Sequence, residues 1–409
     1  MRRKRWTLVA VTLALGITIL DETVVFLALP AIDRDLGVGL AGQQWVVNGY
    51  LLPLAALLLL TGSLADRYGR RRLFILGLVG FGLASLAAGL APSAGFLIVA
   101  RVVQGVFAAL LMPSTLSLLV ATFRGEERAG AIEAWAAWSG AAAAIGPLVG
   151  GVLISAASWR WVFFLSLPVV AVAIGLALWA VEESREEQAR TDRLDVLGAL
   201  WATLAVGGAA YAVVQGPEAG WTAPAVLGAA AAALLALAAF LVRERRTESP
   251  MLPLDLFRIR NFSAANAATL ALYAVFNGNF FLLTIYLQTT LDYTALAAGA
   301  ATLPLTLLML LLSSRAGRLG VLDTGAATTP EQAASIERAQ ERPTSALDLS
   351  LEPEIRGEVR TASVEAYRIG MWAGSGIGLL GALIALEGVS RKRADKHGQV
   401  SGGDRVSGW

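Results

Sequence analysis

The stretch Gly62-Ser63-Leu64-Ala65-Asp66-Arg67-Tyr68-Gly69-Arg70-Arg71-Arg72 decides the fold of this chain. It carries one carboxylate and four arginines, and it lies between two long apolar runs. Residues 45–61 before it and 73–92 after it contain no charged side chain. A short polar turn between such runs indicates two membrane helices that meet at the water interface. Because arginine accumulates on the cytoplasmic side of membranes, the turn is predicted to face the cytoplasm.

Composition places the whole chain among integral membrane proteins. Hydrophobic residues make up 56% of the 409 residues and charged residues 16%, whereas a soluble domain has about 25% charged residues. Mean hydropathy is +0.62. The formal net charge is only +2, and the arginines are scattered through loops rather than gathered on one face. The sequence therefore predicts no nucleic-acid partner.

The chain lacks the residues of the common catalytic and metal centres. It has no cysteine and a single histidine, His397, which excludes thiol chemistry, disulfides and Cys/His metal sites. No paired carboxylates stand at a predicted membrane face, so we expect no enzyme activity, no cofactor and no metal. The basic start is followed by a long apolar run without a small-residue cleavage site, which indicates a first membrane helix rather than a signal peptide.

Apolar runs separated by polar segments predict an all-α integral membrane protein with about eleven spanning helices. The runs lie at residues 7–30, 44–61, 73–91, 95–122, 131–155, 160–181, 195–215, 223–242, 264–285, 295–313 and 367–386. With the amino terminus in the cytoplasm, the loops predicted outside carry only two arginines, Arg34 and Arg160. The prediction is a multi-pass protein of the cell (plasma) membrane, with the lipid bilayer as its surroundings.

The charged loop after the sixth run divides the chain. The predicted parts are a six-helix bundle at 1–182, a linker with an inserted helix pair at 183–250, the first two helices of a second bundle at 251–319, a polar segment at 320–366, a terminal membrane helix at 367–386 and a basic polar tail at 387–409. Eleven spans would place this basic tail outside, against the rule that the other ten spans obey.

Three further stretches carry polar residues or glycines at defined positions within the apolar runs. They are residues 20–30, Arg101-Val102-Val103-Gln104-Gly105 and Gly146-Pro147-Leu148-Val149-Gly150-Gly151. Together with the 62–72 turn they resemble the motifs of the major facilitator superfamily of transporters, and in particular of its fourteen-helix drug:proton antiporters. Phe26 departs from the pattern, since the family usually has asparagine there.

This resemblance covers residues 1 to about 319. It implies a fold of two related helix bundles that works by alternating access, with a small-molecule substrate and a proton as its partners. It also implies three more helices before the last one. Here a polar stretch joins the tenth run to the last, as an internal deletion or a gene-prediction artefact would leave it.

Asp21 is the first candidate functional residue. At 1.5 Å per residue it lies roughly 22 Å along the first helix, in the outer half of a hydrocarbon core about 30 Å thick, and Arg101 lies at a similar depth in the fourth helix. A carboxylate at this depth normally marks an ion or proton pathway. We hypothesise that Asp21 binds the coupling proton and that Arg101 adjusts the proton affinity of Asp21. A purely structural ion pair between the two helices is the alternative.

Gly146, Pro147, Gly150 and Gly151 in the fifth run are predicted to bend that helix and to let another helix approach closely. One interpretation is a seal between the bundles that limits proton leak, and generic helix packing is the other.

The 62–72 turn also has two interpretations. Gly62 and Gly69 permit tight backbone geometry, and Asp66 can accept hydrogen bonds from Arg67 or Arg70. A conformational latch at the cytoplasmic face is one interpretation, and topology determination by positive charge is the other. The resemblance implies that the latch partner is a helix late in the second bundle, among the three that are missing.

Several polar and aromatic residues are candidates for a substrate path. They are Trp45, Asn48, Gln104, Trp135, Trp138, Asn277, Asn279 and Gln288. Anchoring at the membrane interface is the alternative for Trp45, Trp159 and Trp161. The predicted function is proton-coupled export of lipophilic or cationic small molecules. A truncated, transport-inactive membrane protein derived from such a transporter is the alternative.

Overall fold

The computed structural model describes residues 2–185, 195–247 and 250–304. Secondary structure in these ranges is helical and includes no strand, so the all-α prediction is confirmed. The predicted segments 320–366, 367–386 and 387–409 lie outside the described residues.

Eleven α-helices occupy the described ranges, together with a 3-10 helix at Leu254–Arg258 and a π-helical turn at Tyr286–Thr290. Their bounds are α1 Arg2–Leu36, α2 Gly39–Tyr68, α3 Arg70–Gly89, α4 Ala94–Thr122, α5 Glu126–Ala156, α6 Trp161–Phe164, α7 Ser166–Ala180, α8 Val196–Ala219, α9 Pro224–Arg246, α10 Arg260–Ile285 and α11 Ala295–Pro304. Eight segments, with α6 and α7 counted as one, are long and apolar enough to cross a membrane. These eight correspond to the first eight predicted runs.

The chain divides into two compact units. The first contains the residues up to Ala264 together with Tyr293–Leu303, and the second contains Ala265–Asp292 and begins again at Pro304. The first unit thus holds α1 to α9, the start of α10 and most of α11, whereas the rest of α10 belongs to the second. The domain boundaries given above stay predictions.

The core of the first unit lies among α1, α3, α4 and α7. Ala14, Phe74, Phe81, Leu111 and Ala173 are completely buried members of its apolar cluster. In lipid such contacts are stabilised by close packing rather than by removal of apolar surface from water. Small residues that let helices approach therefore determine which helices meet.

Gly105 permits the closest approach of α4 to α2. A methyl group added there would overlap the backbone carbonyl of Tyr50. On the same contact surface, a methyl group at Gly49 of α2 would lie 3.4 Å from the Ile98 carbonyl oxygen. The contact brings the backbone of α2 beside Arg101, which is where the candidate site forms.

The inserted helix pair, α8 and α9, packs on α2 of the same unit through α8. The ring of Trp45 lies 6.1 Å from that of Tyr211 in α8. At the end of α8, Glu218 Oε1 accepts a hydrogen bond from the Ala41 backbone at the start of α2, at 3.3 Å. Trp45 therefore makes a helix–helix contact with the inserted pair.

Gly105→Ala is expected to destabilise the protein by about 1–3 kcal/mol, because backbone atoms of α2 must move to make room. The measurement is the thermal unfolding of the purified full chain in detergent. Gly95→Ala is the matched control in the same helix, since nothing lies within 4 Å of a methyl group there. Equal unfolding midpoints for the two variants would contradict the close α2–α4 contact.

Candidate functional site

A buried ion pair joins α1 to α4. Arg101 Nη1 donates a hydrogen bond to Asp21 Oδ2 at 2.5 Å, and both side chains are 1% exposed. Removing two charges from water costs several kcal/mol per ion, and the cost is repaid only if the remaining hydrogen-bonding groups are also satisfied. The neighbours of the pair are therefore part of the site.

Gln104 supplies the next set of contacts. Its Nε2 donates to Asp21 Oδ1 at 2.9 Å and to Ser85 Oγ at 2.7 Å, while its Oε1 accepts from Arg101 Nη1 at 2.7 Å. Both oxygens of Asp21 thus have partners. Gln104 was expected to line a substrate path, but it has no exposed surface. In this structure it orients the ion pair, because its amide is turned towards both charged side chains.

Helix α2 holds the guanidinium from another side. Arg101 Nε donates to the Val46 carbonyl oxygen at 3.1 Å, and the guanidinium lies 4.3 Å from the centre of the Tyr50 ring. The Tyr50 hydroxyl in turn donates to the Thr18 carbonyl oxygen of α1 at 3.3 Å. A movement of either charged side chain would therefore change contacts of α1, α2 and α4 together.

Glu22 is a charged residue near this site that the sequence reasoning left unassigned. It follows Asp21 directly, lies half-buried on α1, and interacts electrostatically with both Asp21 and Arg101. The charge of Arg101 therefore acts on both carboxylates, but its ion pair is with Asp21. The signal that could have found it was the pair of adjacent acidic residues within an otherwise apolar run.

Gly146 and Gly150 form the surface of α5 that contacts α1. A methyl group at Gly146 would overlap Thr23 Oγ1, and one at Gly150 would lie 2.7 Å from Val24 Cγ1. Both contacts are within three residues of Asp21 along α1. The close packing of α5 thus fixes the part of α1 that carries the ion pair.

Pro147 and Gly151 lie against α11 instead. A methyl group at Gly151 would lie 2.7 Å from Leu296 Cα, and one at Gly299 would overlap the Pro147 carbonyl oxygen. This is the close helix approach expected for the Gly-Pro motif. Whether the contact also limits proton leak stays a prediction.

The polar turn after α2 is shorter than the sequence suggests. Residues 62–68 continue α2 as helix, and the chain reverses at Gly69, whose φ is +116°. Arg70 donates to Asp66 Oδ1 from Nε at 2.8 Å and from Nη2 at 2.7 Å. This ion pair therefore spans the break between α2 and α3.

The turn has a partner inside the first unit that the sequence reasoning missed. Arg71 donates to the carbonyl oxygens of Ala177 and Leu178 in the last turn of α7, at 3.2 and 2.7 Å, and its backbone N–H donates to Glu183 Oε1 at 3.1 Å. An arginine that covers the last carbonyls of a helix satisfies groups that have no partner within that helix. The turn thus anchors α7.

The other expected path residues are separated. Asn48 and Trp135 are half-buried in the first unit, and Trp138 is 44% exposed with its indole beside Gly16. Trp135 Nε1 is buried without a hydrogen-bond partner.

The remaining candidates for the path lie in the second unit. Asn277 Nδ2 donates to the Tyr273 carbonyl oxygen of its own helix at 3.1 Å. Gln288 lies in a π-helical turn, Tyr286–Thr290. The side chain of Asn279 lies outside the described part of the chain.

Trp159 does not anchor the protein at the membrane surface. It is 3% exposed, and its indole N–H donates to Asp35 Oδ2 at 2.9 Å. The same carboxylate oxygen accepts from Arg160. Trp161 is 51% exposed, and its anchoring at the membrane interface stays a prediction.

Residues 11–324 match the description Major Facilitator Superfamily. The chain belongs to this superfamily. The predicted family and fold class are thereby confirmed, and with them a multi-pass membrane protein.

Three relatives are named for antibiotic resistance. The chain is 38% identical to the tetracenomycin C resistance and export protein of Streptomyces glaucescens, over 76% of this chain and 58% of that one. It is 39% identical to the methylenomycin A resistance protein of Bacillus subtilis, over 73% and 64%. It is 40% identical to the puromycin resistance protein of Streptomyces alboniger, over 75% and 60%. The chain thus spans about three fifths of the length of these curated relatives.

Asp21→Asn is expected to cost about 3–5 kcal/mol of stability, because it leaves the Arg101 guanidinium buried without its counterion. Arg101→Gln should cost a similar amount for the converse reason. The double variant should lose clearly less than the sum, since neither charge is then stranded. Chemical or thermal unfolding of the four proteins in detergent measures this coupling. Additive losses would show that the two residues do not act as a pair.

Substitution by alanine should affect stability differently at the two glycines of the turn. Gly69→Ala is expected to destabilise by about 1–3 kcal/mol because of its positive φ, and its methyl group would lie 2.7 Å from the Glu183 carboxylate. Gly62→Ala should be neutral or stabilise by up to about 1 kcal/mol, since Gly62 is helical and its nearest neighbour would lie 3.7 Å away. Unfolding midpoints of the two variants compare them. A tolerated Gly69→Ala would argue against the tight turn.

Proposed function

We propose that this chain is a proton-coupled exporter of lipophilic or cationic small molecules. The observation that carries the proposal is the fully buried Asp21–Arg101 pair inside a major facilitator fold. An ionisable pair within a membrane bundle is costly and is typical of proton pathways. The names of the relatives, which refer to export of and resistance to antibiotics, support small organic molecules as the substrate class.

In the proposed mechanism Asp21 alternates between two partners. In the structure its Oδ2 accepts from Arg101. A proton arriving at that oxygen would replace the guanidinium as its partner and neutralise the carboxylate. The freed Arg101 would keep its contact with the Val46 carbonyl oxygen and the Tyr50 ring. Protonation thereby weakens the α1–α4 contact while the α2–α4 contact persists.

Such a selective loss of one contact can bias two conformations of a bundle, which is the requirement for alternating access. Substrate export would then be linked to proton entry, because only the conformation favoured by protonation exposes Asp21 to the opposite side. In this scheme the Gly146-Pro147 segment closes one helix bundle against the other and so limits proton leak. The 62–72 turn stabilises one of them at the cytoplasmic face. The arginine distribution supports a cytoplasmic amino terminus.

A membrane protein without transport activity is the second candidate function. The observation in its favour is that the chain spans about three fifths of the length of its antibiotic-resistance relatives. In that case the ion pair would serve stability alone.

Asp21→Asn is expected to abolish proton-driven accumulation of ethidium in everted membrane vesicles that contain the full chain, because asparagine cannot bind and release the proton. Glu127→Gln is the control variant, since Glu127 is an exposed carboxylate that pairs with Lys4 at 2.6 Å. This control should retain accumulation.

Full activity of Asp21→Asn would exclude Asp21 as the coupling site. If the unmodified chain accumulates neither ethidium nor puromycin under a proton gradient, the inactive candidate is favoured instead.

A further inference from the structure

Two buried carboxylates meet at one end of the inserted helix pair, away from the Asp21 site. Asp195 precedes α8 and Glu244 lies in the last turn of α9, and each residue is 4% exposed. The two interact electrostatically with each other and with Arg243. Neither carboxylate is used by the mechanism proposed above.

Each carboxylate has one satisfied and one unsatisfied oxygen. Asp195 Oδ1 accepts from the Gly198 backbone at 2.8 Å and from Arg243 Nε. Glu244 Oε2 accepts from the Leu252 backbone at 3.1 Å. In contrast, Asp195 Oδ2 and Glu244 Oε1 are buried without a hydrogen-bond partner. A buried polar atom left unpaired costs about 1–3 kcal/mol, and more if its group is charged.

The charges of the cluster do not balance if both carboxylates are ionised. Among the described residues, Arg243 contributes one positive charge against the two negative ones. The positive end of the α8 dipole supports ionised Asp195 at its start, whereas Glu244 lies at the negative end of α9, where a second anion is disfavoured. Two neighbouring buried carboxylates that share one site do not both ionise readily. One more positive charge would balance the cluster, and a proton bound to Glu244 would supply it.

A proton meets this need better than a metal ion. Calcium and magnesium require about six or more oxygen ligands, and within the described ranges no group of three or more acidic, histidine or cysteine residues could hold a metal. A proton needs only one unpaired oxygen to attach to. The unpartnered Oε1 of Glu244 provides it, and the charge of Asp195 acts on Glu244 from the same end of the helix pair.

We propose that Asp195 and Glu244 hold one exchangeable proton between them, at a site separate from Asp21. The proton resides on Glu244, and Asp195 remains the ionised partner of Arg243. Within the described residues, the charged groups at this end of the neighbouring elements are Arg245 and Arg246 of α9, which are exposed, the exposed Asp255–Arg258 pair, and Asp66 and Arg67 of α2, of which Asp66 is paired with Arg70. Among the described residues, the cation that pairs with Asp195 is Arg243.

Proton binding at this site would change the charge at one end of the inserted helix pair. Because α8 packs on α2, and α2 contacts Arg101, release of this proton would act on the same helix that holds the Asp21 site. This inference does not depend on whether the chain transports anything, since it concerns a protonation state alone.

Infrared difference spectroscopy of the purified full chain tests the proposal through the carbonyl stretch of protonated carboxyl groups. At neutral pH the wild-type spectrum should contain a band that shifts when glutamate side chains carry carbon-13 at the carboxyl carbon, and that disappears as the pH is raised. Glu244→Gln should remove the band. Asp195→Asn should also remove it, because the single remaining carboxylate would then ionise opposite Arg243.

Asp255→Asn is the matched control, since Asp255 is an exposed carboxylate near the same end of the protein, and it should leave the band unchanged. The proposal is overturned if the wild type lacks a band that shifts with labelled glutamate, or if the band survives in either Glu244→Gln or Asp195→Asn. The isotope shift and its pH dependence are measured on the unmodified chain, so they stand even if a variant fails to fold.

Discussion

The burial of Asp21 and Arg101 constrains the rest of the first unit. Two charges at this depth are tolerated because neighbouring polar groups satisfy them: Gln104 of α4 bonds to both, and the Val46 carbonyl of α2 accepts from Arg101. Ser85 of α3 in turn accepts a hydrogen bond from Gln104. These contacts fix the relative rotation of four helices. The same requirement explains the small residue at Gly105. Helix α4 must lie close enough to α2 for Arg101 to reach the Val46 carbonyl oxygen.

The 62–72 turn provides the second constraint, at the opposite end of α2. Its resemblance to a family motif implied a partner in helices that this sequence does not show. The structure gives the turn contacts nearer by, because Arg71 covers the last carbonyls of α7 and Glu183 lies over Gly69. A turn that anchors α7 has a structural role whether or not it also works as a latch. The two roles are compatible, since the anchoring contacts use Arg71 while the ion pair uses Asp66 and Arg70.

The inserted helices extend this arrangement beyond the six-helix bundle. They pack on α2, so the helix that holds Arg101 in place also carries the contacts of α8. A proton on Glu244 and a proton on Asp21 would therefore act on a common element. Under this proposal the inserted pair would provide a second point at which proton binding acts on α2.

Sequence alone determined the membrane class, the first eight helical runs and the pairing of Asp21 with Arg101. Long uncharged runs and the arginine-rich turn suffice for the first two, because the bilayer fixes helix length and charge placement. Equal depth sufficed to pair Asp21 with Arg101. Only the tertiary structure decided that Gln104 is buried, that Trp159 binds Asp35 and that Glu244 meets Asp195. Depth gives one coordinate of a residue on a membrane helix, whereas its neighbours depend on helix rotation and packing, which distant parts of the chain decide.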